Sequence, residues 1–289
     1  MTAMAEMLSY GFMQRALVAG VLVGLLCGVL SFFVVLRRLS FIGVGISHSA
    51  FGGVAIGVLA GFDPLVLAAV VCTLVAWGIG WISRHGRLHE DTAIGIVFSS
   101  VMAGGVALLS LSHDYQVDLF GYLFGNILAV APRDLWLLVV ATLLVLIVVG
   151  GLFRALLFVA FDEEVARANG LPVDCLHYVL LTALAIGIVA AMRVVGIILV
   201  EALLVIPAAI GFQITRGYRT MLAVSIGAAM ASAVVGLCLS YVLNVAAGAM
   251  IILVASATFF VALAIGRVQR ERARAAVAVR TPASAAHTR

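Results

Sequence analysis

The chain predicts an all-α, polytopic membrane protein, and three observations carry that prediction. Of its 289 residues, 65% are hydrophobic and only 10% charged, whereas about a quarter of a soluble domain is charged. Apolar segments long enough to cross a bilayer as helices follow one another along the chain, at about 17–36, 41–60, 64–83, 92–111, 134–153, 176–192, 195–213, 220–242 and 246–266. All 17 basic residues are arginine, and they alternate sides in the way that fixes membrane orientation. With the N-terminus outside, fourteen arginines fall in inside loops or the tail, and only Arg15, Arg133 and Arg193 fall outside. The expected form is therefore about nine spans, N-out and C-in. The split at Arg193 is the narrowest of these assignments, and fusing its two short segments would leave eight.

The absence of lysine excludes whole classes of chemistry. A Walker A phosphate loop and Schiff-base catalysis both need that residue. The chain is thus expected to be no enzyme, with any ATP-driven work done by another polypeptide. Cys27, Cys72, Cys175 and Cys238 have no CxxC or zinc-finger spacing, and the three inside predicted spans read as small apolar residues. In so apolar a chain the net charge of +4 sets topology and gives no reason to expect a nucleic-acid partner. The start does not read as a cleaved signal peptide, because its first apolar run is full length and stops at Arg37-Arg38.

The first span repeats Gly20, Gly24 and Gly28, a face another helix can approach closely. The second repeats Gly45, Ser49, Gly53, Gly57 and Gly61 every four residues and carries one titratable group, His48, beside that strip. An imidazole at that depth must face protein or water, where it is either a packing hydrogen bond between helices or a group on a pathway. His85 and His89, in RHGRLHED, read as a solvated loop in preference to a metal site with Glu90 and Asp91.

Between the fourth and fifth spans, His113, Asp114 and Asp118 cluster outside, where they would attract cations at an entrance. The apolar run 119–130 is too short to span and reads as a re-entrant or interfacial helix. Pro132 then opens the fifth span, where a missing N–H costs little.

The inside loop contains FDEEVARANGLP (161–172). Asp162 is placed to cap a short helix, Glu163 and Glu164 suit its positive first turn, Asn169-Gly170 end it and Pro172 prevents its resumption. A capped helix between two spans reads as a docking handle or as an ordinary ordered loop. The seventh span holds Glu201 and Pro207. A carboxylate in the membrane needs a proton, a cation, His48 or water as partner. The permease domain is taken as residues 1–266, and the basic tail 267–289 is expected to leave as a short helix and then lose order.

Four blocks, RLSFIGVGISHSAFGGVAIG (38–57), DLFGYLFGNIL (118–128), FDEEVARANGLP (161–172) and VGIILVEALLVIPAA (195–209), resemble the membrane permease of zinc-, manganese- and iron-type ABC importers. The resemblance implies an all-helical subunit in a prokaryotic plasma (inner) membrane, working as a homodimer. It implies two cytoplasmic ATPase subunits, an extracytoplasmic metal-binding protein, a divalent metal ion as substrate and no permanently bound cofactor. It also makes 161–172 the ATPase-coupling region, with Asp162, Glu163, Glu164, Arg167 and Gly170. Many members of that family carry an acid four positions before the histidine, and here that position is Val44. Glu201 is expected to supply the missing carboxylate, because helix rise puts both groups near mid-membrane, about 10 Å and about 12 Å from the nearer surface. His48 and Glu201 are then transient metal ligands. Three other readings stay open: a permease for a siderophore or cobalamin, a proton-coupled carrier acting alone through Glu201, and a non-transporting membrane scaffold.

Overall fold

The computed structural model describes residues 9–86, 89–110, 125 and 127–280. His113, Asp114 and Asp118 lie outside the described residues, as does most of the run 119–130. Among the described residues the chain is helical, in the order α1 (Gly11–Leu36), α2 (Ile42–Ala60), α3 (Pro64–His85), α4 (Glu90–Ser110), a 3-10 turn at Ile127–Ala129, α5 (Pro132–Gly151), α6 (Phe153–Phe161), α7 (Glu163–Ala168), α8 (Val173–Val195), α9 (Ile197–Ile214), α10 (Tyr218–Leu243) and α11 (Ala247–Arg280). Nine of these are long and apolar enough to cross a membrane: α1 to α5 and α8 to α11. α3 runs two residues further than expected, so His85 ends a helix and stacks on Trp81. α11 continues past the membrane-length stretch to Arg280.

Local chemistry sets the ends. Asp63 caps α3 by accepting from the Leu65 N–H at 2.9 Å, with Pro64 in the first turn. Gly61 ends α2 in the left-handed conformation (φ 69°), which a Cβ would strain. Pro132 opens α5. Between α8 and α9 the break is one residue, Gly196 at φ 83°, ψ 162°, so the two spans flanking Arg193 are separate helices. Gly125 lies against this joint so closely that a Cβ there would sit 2.2 Å from the Gly196 nitrogen.

Close approach through small residues builds the bundle, as expected where lipid offers helices no hydrophobic drive. A Cβ on Gly53 would be 2.6 Å from Ala68 Cα, and one on Gly57 2.7 Å from Pro64 Cα, so α2 lies backbone to backbone on α3. Gly24 and Gly28 admit α10 in the same way, at 2.9 Å from Met230 Cα and 2.8 Å from Ile226 Cα. Gly61 has nothing near it and serves only as a cap. The best-buried spans are α1, α2 and α8, while α4, α5 and α11 lie at the edge.

Polar side chains satisfy one another between helices. Ser225 on α10 donates to the Gly28 carbonyl at 2.8 Å. Pro207 interrupts the hydrogen bonding of α9, and the next N–H, that of Ala208, donates to Ser31 Oγ of α1 at 3.1 Å. Ser31 is fully buried, so it both joins α1 to α9 and supports the interrupted turn.

Candidate functional site

Two polar clusters stand out from this apolar frame, one at mid-bundle and one at the end carrying Arg37 and Arg84. The first joins α2 to α9. His48 lies one turn beyond Val44 on the only partly covered face of α2, while Ser47 and Ser49 on either side are fully buried. On α9, Glu201 lies on a similarly half-open stripe with Ala202 and Val205. His48 Nδ1 is 2.9 Å from Glu201 Oε1 and 3.1 Å from the Val44 carbonyl. The Ser47 hydroxyl lies 2.5 Å from the same Oε1 and 3.2 Å from the same carbonyl. The Phe98 ring of α4 meets the imidazole edge-on, with centroids 5.9 Å apart.

Side-chain exposure is 25% for His48 and 20% for Glu201, so the pair is neither sealed in the core nor spread on the surface. The i−4 position that lacks an acid contributes its backbone oxygen, and the carboxylate beside the ring comes from another helix. Among the described residues no group of three His, Cys, Asp or Glu side chains is placed to hold a metal ion. One imidazole and one carboxylate per chain suit brief contact with a cation more than storage.

The second cluster is centred on Glu163 of α7. Asp162 caps this helix, accepting from the Val165 N–H at 2.9 Å, and the Asn169 amide donates to the Val165 carbonyl at 2.8 Å. Gly170 follows in the left-handed region at φ 79°. The turn that results has two sides. Glu163 points into the bundle, 2.9 Å from Arg84 Nη2 of α3 and 3.5 Å from Arg37 Nη2 at the end of α1. Arg84 also pairs with Asp174 of α8, as does Arg167, at 3.1 Å. Burial lowers the Arg37 pKa, and Glu163 opposes that shift. Phe161, Glu164 and Val165 face outward.

Sequence reasoning singled out Glu163 and Arg167 but missed Ser47, Arg37, Arg84 and Asp174. Arg37 and Arg84 gave an orientation signal only, because their partner lies 126 and 79 residues away. At the opposite end Arg193 pairs with Asp134 at 2.8 Å, which ties the end of α8 to the start of α5.

The model of the ABC 3 transport family matches residues 9–266. The manganese transport system membrane protein MntC of Halalkalibacterium halodurans is 39% identical over 257 residues, covering 89% of this chain and 88% of that protein. A probable iron transport system membrane protein of Haemophilus influenzae is 36% identical over 268 residues, covering 91% and 97%. Among solved structures, PsaBC from Streptococcus pneumoniae in complex with Fab superposes with a TM-score of 0.80 at 36% identity, covering 90% of this chain and 95% of that one.

Proposed function

The chain belongs to the ABC 3 transport family, and from that premise we propose that it is the membrane-spanning permease of an ATP-driven importer for divalent first-row metal ions: manganese, zinc or iron. It is a multi-pass membrane protein, and N-out, C-in is the orientation its arginines favour. The observation that carries the reading is the His48–Glu201 pair at 2.9 Å within the spans, in a chain whose relatives are named for manganese and iron transport. An imidazole and a carboxylate are donors a divalent first-row cation accepts, and ionisable groups inside a membrane usually mark a pathway.

Two copies of the chain form the pathway at a two-fold interface, into which the half-open faces of α2 and α9 bring His48 and Glu201. Two ATPase subunits dock on the outward side of α7, whose inner side is tied to α1, α3 and α8 through Glu163, Arg167 and Asp174. Asp162 and Gly170 hold the ends of that turn. An extracytoplasmic protein delivers the metal, with His113, Asp114 and Asp118 at the entrance.

The test is metal accumulation in a strain that relies on this permease, measured with manganese, zinc and iron ions and with an iron chelate. Uptake of a free ion that is lost in His48→Ala supports the proposal. Uptake of the chelate alone favours a wide-pore permease for large ligands. Transport by the purified chain in liposomes with no ATPase favours a proton-coupled carrier.

A further inference from the structure

We propose that Glu201 acts through His48: it fixes the ring so that Nε2 meets the passing cation and is not itself the metal ligand. This rests on the pathway reading above and assigns the two groups different roles within it.

The His48 Nδ1 atom has two neighbours, the Val44 carbonyl at 3.1 Å and Glu201 Oε1 at 2.9 Å. A carbonyl and a carboxylate only accept hydrogen bonds, so the ring proton sits on Nδ1 and is shared between them. In the neutral imidazole the other nitrogen, Nε2, then carries the lone pair a metal needs. Among the described residues no hydrogen-bond partner meets Nε2, and the ring is a quarter exposed. Phe98 touches the ring edge-on and has no polar atom to offer.

The same bonds restrain Glu201. Oε1 takes the Nδ1 proton and also the Ser47 hydroxyl, 2.5 Å away. Ser47 has one proton and two acceptors within reach, and Glu201 is the nearer. Ser47 is fully buried, so this bond is shielded from water and sets the carboxylate in place. Nδ1 and Nε2 lie on opposite edges of the ring. A cation on Nε2, roughly 2 Å beyond the nitrogen, is therefore across the imidazole from the carboxylate. Glu201 cannot hold that ion without first releasing the ring. Serine, carboxylate and imidazole stand in series, an arrangement that orients metal-binding histidines and raises their basicity.

The test uses the assembled transporter, with its ATPase and binding protein, in lipid vesicles. Uptake of radioactive manganese is compared for wild type, His48→Ala, Glu201→Gln and Glu201→Leu. Bound Mn(II) is also examined by electron spin-echo spectroscopy, which detects a coordinated imidazole nitrogen. Glutamine keeps an oxygen that can accept from Ser47 and Nδ1, so Glu201→Gln should lower uptake by about tenfold, the lesser end of what removing an outer partner costs. It should also keep the nitrogen signal. Glu201→Leu and His48→Ala should lose about a hundredfold, and His48→Ala should lose the signal.

Should Glu201→Leu fail to assemble, the glutamine variant and the spectrum still decide. Glu201→Gln as inactive as His48→Ala, or a wild-type spectrum without nitrogen coupling, overturns the division of roles and leaves the pathway reading intact. Wild-type uptake by His48→Ala removes the pathway reading as well.

Discussion

Replacing Glu163 with alanine should loosen α7 from the bundle, and its cost follows from three side chains. Glu163 is 43% exposed, Arg84 17% and Arg37 10%. Arg84 keeps Asp174 when Glu163 goes. Arg37 keeps no other ion pair among the described residues, and its Nη1 is already buried without a hydrogen-bond partner. An exposed ion pair contributes about 0.2–1 kcal/mol, whereas stripping the partner from a buried charge costs about 3–5 kcal/mol. The open side of Glu163 and the covered side of Arg37 place this case between them, at about 2 kcal/mol. For a chain of this size that is about 4 °C in the unfolding midpoint, read from tryptophan fluorescence of the protein in lipid discs. Glu164→Ala is the control, because Glu164 faces outward and should leave the midpoint within about 1 °C. A double-mutant cycle with Arg37→Ala should recover about 1 kcal/mol of coupling. A Glu163→Ala midpoint equal to wild type would refute the inward-facing role of this carboxylate.

Four other substitutions test other parts of the structure. Ser31→Ala removes the acceptor for the Ala208 N–H beside Pro207 and should cost about 1–3 kcal/mol, seen as a lower unfolding midpoint. Gly53→Val drives a side chain into the Ala68 backbone and should reduce folded yield on gel filtration, whereas Gly78→Ala, with nothing within 4 Å, should be neutral. Val165→Asp, on the 45% exposed outer side of α7, should leave the midpoint alone and, on the proposed docking, weaken co-purification with the ATPase subunit by about tenfold, since burying a charge there carries a desolvation cost.

How much could be read in advance depends on the range of the interaction. The spans were legible because twenty apolar residues have few other stable states in a bilayer. The ends of α7 were legible because a cap is a contact within three or four residues, as the Asp162–Val165 bond shows. The glycine strips were legible as close-packing faces, but Gly61 carried the same spacing and turned out to be a helix end. Spacing alone cannot tell those two uses of glycine apart. Depth along the helices suggested that His48 and Glu201 lie at similar levels. It could not say that their side chains meet, or through which atoms, because that depends on how α2 and α9 are rotated. The Arg37–Glu163–Arg84 cluster stayed hidden for the same reason, since its members come from three separate elements.

The single glycine between α8 and α9 links the two clusters along the main chain. From Asp174, where Arg84 and Arg167 grip α8, the backbone climbs one unbroken helix, turns at Gly196 and reaches Glu201 five positions later. No slack loop intervenes to absorb a displacement. A tilt imposed at the arginine-rich end would arrive at the carboxylate as a change of angle, pivoting where Gly125 wedges against the turn. On the proposed function, the ATPase-docking end and the cation pathway are thus joined by two rigid helices that meet at a single glycine.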